Sequence, residues 1–192
     1  MKQRTTLLPD ALLILTTFIW GSGFAITNLA VLSGMPLSML LTLRFLIPGV
    51  IMMVLFRKEL PSASSEDLRF GAVAGVILFV AFVAQTYGIK YTTPANNAFL
   101  TTTNVIMVPL ISWGVFRQRP QLRLGLLTML CFVGMSVLSW SPGLGVAFNL
   151  GDWLSILCAM GFACHISYLG LSSAMACSAA VLSLVQIMVA GS

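Results

Sequence analysis

Six residues whose side chains suit binding or orienting a solute lie inside strongly apolar runs: Trp20, Arg44, Asn97, Thr101, Asn104 and His165. A polar or charged group is expensive in hydrocarbon, so each is a candidate ligand contact to be weighed against a structural role. Arg44 offers a fixed cation to an anionic group such as a carboxylate. At a helix centre it costs roughly 2.5–3.5 kcal/mol to insert, which the leucines, isoleucines, valines and phenylalanines of 37–56 outweigh. It is also long enough to snorkel to the interface two turns away. Asn97, Thr101 and Asn104 recur at i, i+4 and i+7 and therefore share one helix face, with Thr102 and Thr103 beside them. Such a stripe either lines a hydrated path or hydrogen-bonds a neighbouring helix.

Trp20 falls near mid-span, where its indole N–H needs a cavity or a neighbouring helix; tight packing beside Gly21 and Gly23 is the structural alternative. His165, the single histidine, suits proton relay, solute binding or a bond to an adjacent helix. Gln85 and Tyr87 suit an outer gate, and Tyr87 equally suits an interfacial anchor. Catalytic chemistry has no support. There is no phosphate-binding glycine loop and no metal-ligand spacing. The five acids, Asp10, Glu59, Glu66, Asp67 and Asp152, lie at helix ends or in loops. Cys131, Cys158, Cys164 and Cys177 sit in apolar stretches without a CxxC pair and read as inert thiols. Neither an enzyme nor a cofactor or metal is expected.

The elements that position these residues follow from composition. Of the 192 residues 58% are hydrophobic and 8% charged, and the mean hydropathy is +1.00. Soluble domains carry charge on about a quarter of their residues, so a soluble enzyme and a nucleic-acid-binding domain are both excluded. Partners are expected to be the lipid bilayer and a small-molecule substrate, with no nucleic acid. Seven apolar segments are legible, at about 11–32, 37–56, 70–88, 94–115, 123–140, 152–171 and 176–190. Ser33, Gly34 and Pro36, then Pro61 with its serines, then Thr93 and Pro94, then Ser141, Pro142, Gly143 and Gly145 punctuate them. The fold class is an all-α polytopic transmembrane bundle.

Threading the segments back and forth puts eight of the ten Lys and Arg residues on one face: Lys2, Arg4, Arg57, Lys58, Arg69, Arg117, Arg119 and Arg123. That bias predicts a cytoplasmic N-terminus, although the connection near 172–177 carries no charge. Trp113, Trp140 and Trp153 sit near span ends, as interfacial tryptophans do. Gly71 and Gly75 form a GxxxG pair suited to close helix packing. Pro109 frees carbonyls in the fourth segment and predicts bending there. A shift of 142 positions superimposes Asp10 on Asp152, Trp20 on Phe162 and Arg44 on Gln186. Five segments separate the two starts, so the second copy begins on the opposite face. Inverted repeats of this kind recur in secondary transporters.

Four runs carry a resemblance: Trp20-Gly21-Ser22-Gly23-Phe24, Arg44-Phe45, Tyr87 through Leu100 with its Thr92-Thr93-Pro94-Ala95-Asn96-Asn97 core, and Gly151-Asp152. In order and spacing they resemble the EamA-type family of the drug/metabolite transporter superfamily. The resemblance implies a ten-helix exporter of amino acids, other metabolites or drugs, built as two inverted five-helix repeats in a bacterial inner membrane. Residues 1–140 would be the first repeat and 151–192 the start of a second, truncated within its seventh helix. It implies an inward-facing Arg44, without deciding whether that side chain binds substrate or braces the bundle. The function expected is secondary transport by alternating access. The alternative is a truncated or accessory membrane subunit without transport of its own, completed by a homo- or hetero-oligomer that supplies the missing helices.

Overall fold

In a computed structural model the described residues are 7–59, 61, 63–115, 122–138, 148–175 and 177–192. They form eight helices in chain order: α1 (Leu7–Leu32), α2 (Leu37–Phe56), α3 (Ser65–Tyr91), α4 (Pro94–Thr102), α5 (Asn104–Gly114), α6 (Leu122–Leu138), α7 (Leu150–Ala174) and α8 (Ala179–Gly191). Lys2, Arg4, Arg117, Arg119, Trp140 and the breakers at 141–145 lie outside the described residues, as does the Cys131 side chain. Helices α1, α2, α3 and α7 are each long and apolar enough to cross a membrane, and α8 is a shorter apolar helix.

The ends of these helices have local causes. Helix α1 closes in a Schellman motif: Gly34 adopts φ +81°, its N–H reaches the Val31 carbonyl and that of Met35 reaches Ala30. Helix α3 begins five residues before its apolar run because Ser64 and Asp67 form a capping box. The Asp67 N–H donates to Ser64 Oγ at 3.0 Å and the Ser64 N–H to Asp67 Oδ2 at 2.9 Å. Asn149 and Asp152 make the same reciprocal arrangement at the head of α7, at 2.9 and 3.1 Å. Thr93 caps α4 and Pro94 opens it, as the sequence predicts.

One expectation is corrected. The fourth segment is not one helix over 94–115 but two, α4 and α5, meeting at Thr103. The break falls six residues before Pro109, which sits inside α5. Thr102 Oγ1 donates to the Ala98 carbonyl at 2.7 Å and Thr103 Oγ1 to Leu100 at 2.6 Å. The Thr103 and Ile106 N–H groups step back three residues instead of four, to Leu100 and Thr103. Consecutive threonines thus compete for the carbonyls of the preceding turn and tighten it.

Helix α3 is the centre of the bundle, flanked by α7 and α8. Small residues permit this. A Cβ placed on Gly71 would lie 2.7 Å from Val185 Cβ, and one on Gly75 would lie 2.6 Å from the Gln186 carbonyl. The GxxxG pair therefore receives α8. Further along, Gly161 of α7 seats against Ala81, and Gly88 faces Gly151. The ends are clasped by carboxylates. Asp67 Oδ1 accepts the Ser178 N–H at 2.8 Å, bringing the starts of α3 and α8 to one face. Asp152 Oδ1 accepts from Thr92 Oγ1 at 2.6 Å at the other face. Helix α8 thus runs parallel to α3, and α7 antiparallel. Helices α1 and α2 lie outside this trio with most of their apolar side chains exposed, Leu13 at 67% and Phe18 at 73% among them.

Gly151 is the tightest seat, since its Cβ would meet Gly88 O and Thr92 N at 2.6 Å and Tyr91 C at 2.7 Å, all backbone atoms. Gly151→Ala is expected to destabilise the bundle by about 1–3 kcal/mol, read as a lowered thermal midpoint in detergent. Gly170→Ala, with open space at its Cβ, should leave the midpoint unchanged or raise it.

Candidate functional site

One face of α7 gathers the site. Ser155, Cys158, Phe162 and His165 follow one another at three- and four-residue steps, which stacks them on one side of the helix. Between them they meet four other helices, α1, α3, α4 and α8. Asn97 of α4 donates Nδ2–H to Ser155 Oγ at 2.7 Å and to the Gln85 carbonyl of α3 at 3.3 Å. Ser155 in turn donates to the Gly151 carbonyl at 2.7 Å. One turn on, Thr101 Oγ1 lies 3.9 Å from Cys158 Sγ. His165 Nε2 stands 2.9 Å from Gln186 Oε1 of α8. Further along still, Ser167 Oγ bonds Ser112 Oγ at 3.1 Å and reaches the Val108 carbonyl at 3.3 Å, fixing α5.

Aromatic rings fill the middle. Phe162 packs edge-on against Phe82 of α3 (5.1 Å between centroids) and against Trp20 of α1 (5.9 Å). Phe45 of α2 packs against Phe82 at 5.4 Å. The Arg44 guanidinium carbon sits 4.1 Å from the Phe82 centroid, and a Cβ on Gly23 of α1 would stand 3.9 Å from its Nη2. Arg44 is thus turned inward over a ring, a cation–π contact, rather than along α2 toward the membrane face.

The structure divides the six candidates. Asn97, Thr101 and His165 each engage a polar group on a neighbouring helix, the bonding alternative open to them from sequence. Arg44, Asn104 and Trp20 have no hydrogen-bond or carboxylate partner among the described residues. Asn104 is nonetheless only 7% exposed, whereas Trp20 is 52% exposed. Arg44 and Trp20 share one ring cluster through Phe82 and Phe162. Two buried acceptors, Asn97 Oδ1 and Thr86 Oγ1, also lack partners among the described residues. Gln85 is buried with its carbonyl committed to Asn97, while Tyr87 is 42% exposed on α3, as an interfacial residue would be.

Sequence reasoning did not single out Ser155, Cys158 or Phe82. Their signal was present in part: 155, 158 and 162 share the helical register that also groups 97, 101 and 104. Which stripe faces which helix was not encoded in either stripe alone.

Positions 142 apart meet reciprocally. Trp20 touches Phe162, its own counterpart. Gly49 approaches Ile187 and Phe45 approaches Gly191, and these two contacts exchange under the shift. Gly23 beside Arg44 exchanges with His165 beside Gln186.

An all-helical bundle with several membrane-length helices is the architecture of a multi-pass membrane protein. The model of the EamA-like transporter family matches residues 7–140, and the chain belongs to that family. It is 34% identical over 161 residues to an uncharacterized transporter of Archaeoglobus fulgidus, covering 84% of this chain and 48% of that protein. It is 27% identical over 176 residues to the uncharacterized transporter YetK of Bacillus subtilis, covering 81% of this chain and 52% of YetK. The chain therefore spans about half the length of these curated relatives. No solved structure matches significantly.

The Asn97–Ser155 bond links α4 to α7. A double-mutant cycle of Asn97→Ala and Ser155→Ala, read by thermal unfolding in detergent, is expected to give a coupling of about 0.6–1.7 kcal/mol.

Proposed function

We propose that the protein is a secondary transporter that exports small metabolites, amino acids or drugs by alternating access, with Trp20, Arg44, Asn97, Thr101, Asn104 and His165 around its solute cavity. One observation carries this reading: an arginine midway along the bundle, on the rings where α1, α2, α3 and α7 meet, with N–H groups unclaimed among the described residues. A half-buried cation without an acceptor among the described residues is costly in hydrocarbon and supports a solute path. Membership of a transporter family supports the same conclusion.

The reciprocal contacts of positions 142 apart support two inverted repeats, the first over 1–140 and the second opening at 151–192. Such repeats rock against each other around a site at their interface. The bilayer is a bacterial inner membrane and the N-terminus lies in the cytoplasm. The Asp67–Ser178 clasp supports that orientation, because it draws the uncharged 172–177 connection to the face of the basic 57–69 loop. Transport runs on a proton gradient or on the solute's own gradient.

The test is uptake of radiolabelled amino acids and fluorescent drugs into everted membrane vesicles that contain the protein. Protein-dependent accumulation of at least one solute is expected. Trp20→Ala, Arg44→Gln and Asn104→Ala combined should lower it at least about tenfold, the loss of one to two charge-assisted bonds. Unchanged accumulation in that variant, at equal membrane abundance, removes the cavity assignment.

A further inference from the structure

We infer that the solute carries a single carboxylate on a flat apolar or aromatic body, the carboxylate taking the Arg44 N–H groups and the body lying against the half-exposed Trp20 ring. This rests on the transporter reading above and narrows its substrate class.

The two halves of the chain supply the comparison. Position 186 is the counterpart of 44, and position 165 the counterpart of 23, by the 142-residue shift. In the second half the pair is complete: His165 Nε2 meets Gln186 Oε1 at 2.9 Å, so donor and acceptor satisfy each other across α7 and α8. In the first half the same pair of positions holds a cation and a glycine. Gly23 leaves space beside Arg44 Nη2 where its counterpart places an imidazole. The side chain that faces Gln186, His165, has no equivalent at Gly23, so no partner among the described residues faces Arg44 there, and a bound anion is what fits a cation.

Charge and shape select the anion. All five acidic residues of the chain lie at helix ends or in connections, and Asp67 and Asp152 are occupied with helix N-termini and their clasps. Among the described residues no side chain of the bundle interior thus neutralises Arg44. Lys90, at the end of α3, has its Nζ 5.7 Å from the Tyr91 ring, and Arg44 is the one cation that the described residues place on the Phe82 ring. One guanidinium balances one monoanion, whereas a phosphate dianion calls for a second cation. The fork of guanidinium N–H groups matches the two oxygens of a carboxylate. Phe82 takes the guanidinium at 4.1 Å. Phe162 packs buried between Phe82 and Trp20, and the half-exposed Trp20 is the ring that offers a wall to a flat apolar body.

The experiment is calorimetric titration of the full chain in lipid nanodiscs with three probes: 3-phenylpropionate, its neutral amide 3-phenylpropanamide, and acetate. Saturable binding of 3-phenylpropionate is expected, with the amide and acetate each at least about tenfold weaker. Arg44→Gln should bring acid and amide to equal affinity, and Arg44→Lys should keep part of the preference for the acid. Wild-type protein that binds the amide as well as the acid, or that shows no saturable response to the acid, overturns the proposal without recourse to any variant. So does an acid preference that survives Arg44→Gln in a variant of wild-type circular dichroism and monodispersity. Vesicle accumulation of neutral or cationic solutes alone would sink this inference and leave the transporter reading standing. Acid-selective binding with no flux of any solute would do the reverse.

Discussion

The bundle depends on one close approach, that of the α3 backbone to the α7 backbone. Where Gly88 faces Gly151 and Ala81 faces Gly161, side chains are too small to hold the helices apart. In a bilayer the lipid is as apolar as leucine, so helices gain by close packing and interhelical hydrogen bonds rather than by leaving solvent. Small residues deliver both. They set the distance at which Asn97 reaches across to Ser155 and Thr92 reaches Asp152. They also press Phe162 against Phe82, so the floor under Arg44 is a consequence of the same crossing. A side chain at Gly151 would push the head of α7 off α3, and the clasp, the asparagine bond and the ring stack would all lengthen together.

Much of this was legible from the chain before any coordinates. Spans of apolar residues, Gly34 and Thr93-Pro94 at their ends, and the GxxxG pair of α3 are local features, and they appear where local physics puts them. Helix α2 occupies 37–56 as read. The resemblance to EamA-type transporters is matched by the family found over 7–140. The break at Thr103 was less legible because proline is the louder signal; the hydroxyls of Thr102 and Thr103 act through bonds that a pattern of apolar residues does not display. The site was legible only in its types. Asn97, Thr101 and Asn104 shared a face on paper, yet Ser155 and Cys158 meet the first two while Asn104 has no such partner among the described residues. Partner choice is a property of helix crossings, and a crossing depends on residues far apart in the chain.

Paired readings of positions 142 apart sharpen what a single half-buried arginine cannot say. An arginine in a span has three fates: it snorkels, it pairs, or it waits for a ligand. The ring of Phe82 at 4.1 Å tells against snorkelling, since the side chain is spent sideways into the bundle. Pairing is what Gln186 does with His165. Glycine at position 23 removes that choice from Arg44 while freeing the volume that an imidazole would take. Histidine and glutamine together are larger than glycine and arginine, so the exchange changes size as well as charge. The charge is not balanced in the same exchange. A neutral, mutually satisfied pair stands at positions 165 and 186, whereas positions 23 and 44 hold a glycine beside a cation that has no carboxylate partner among the described residues.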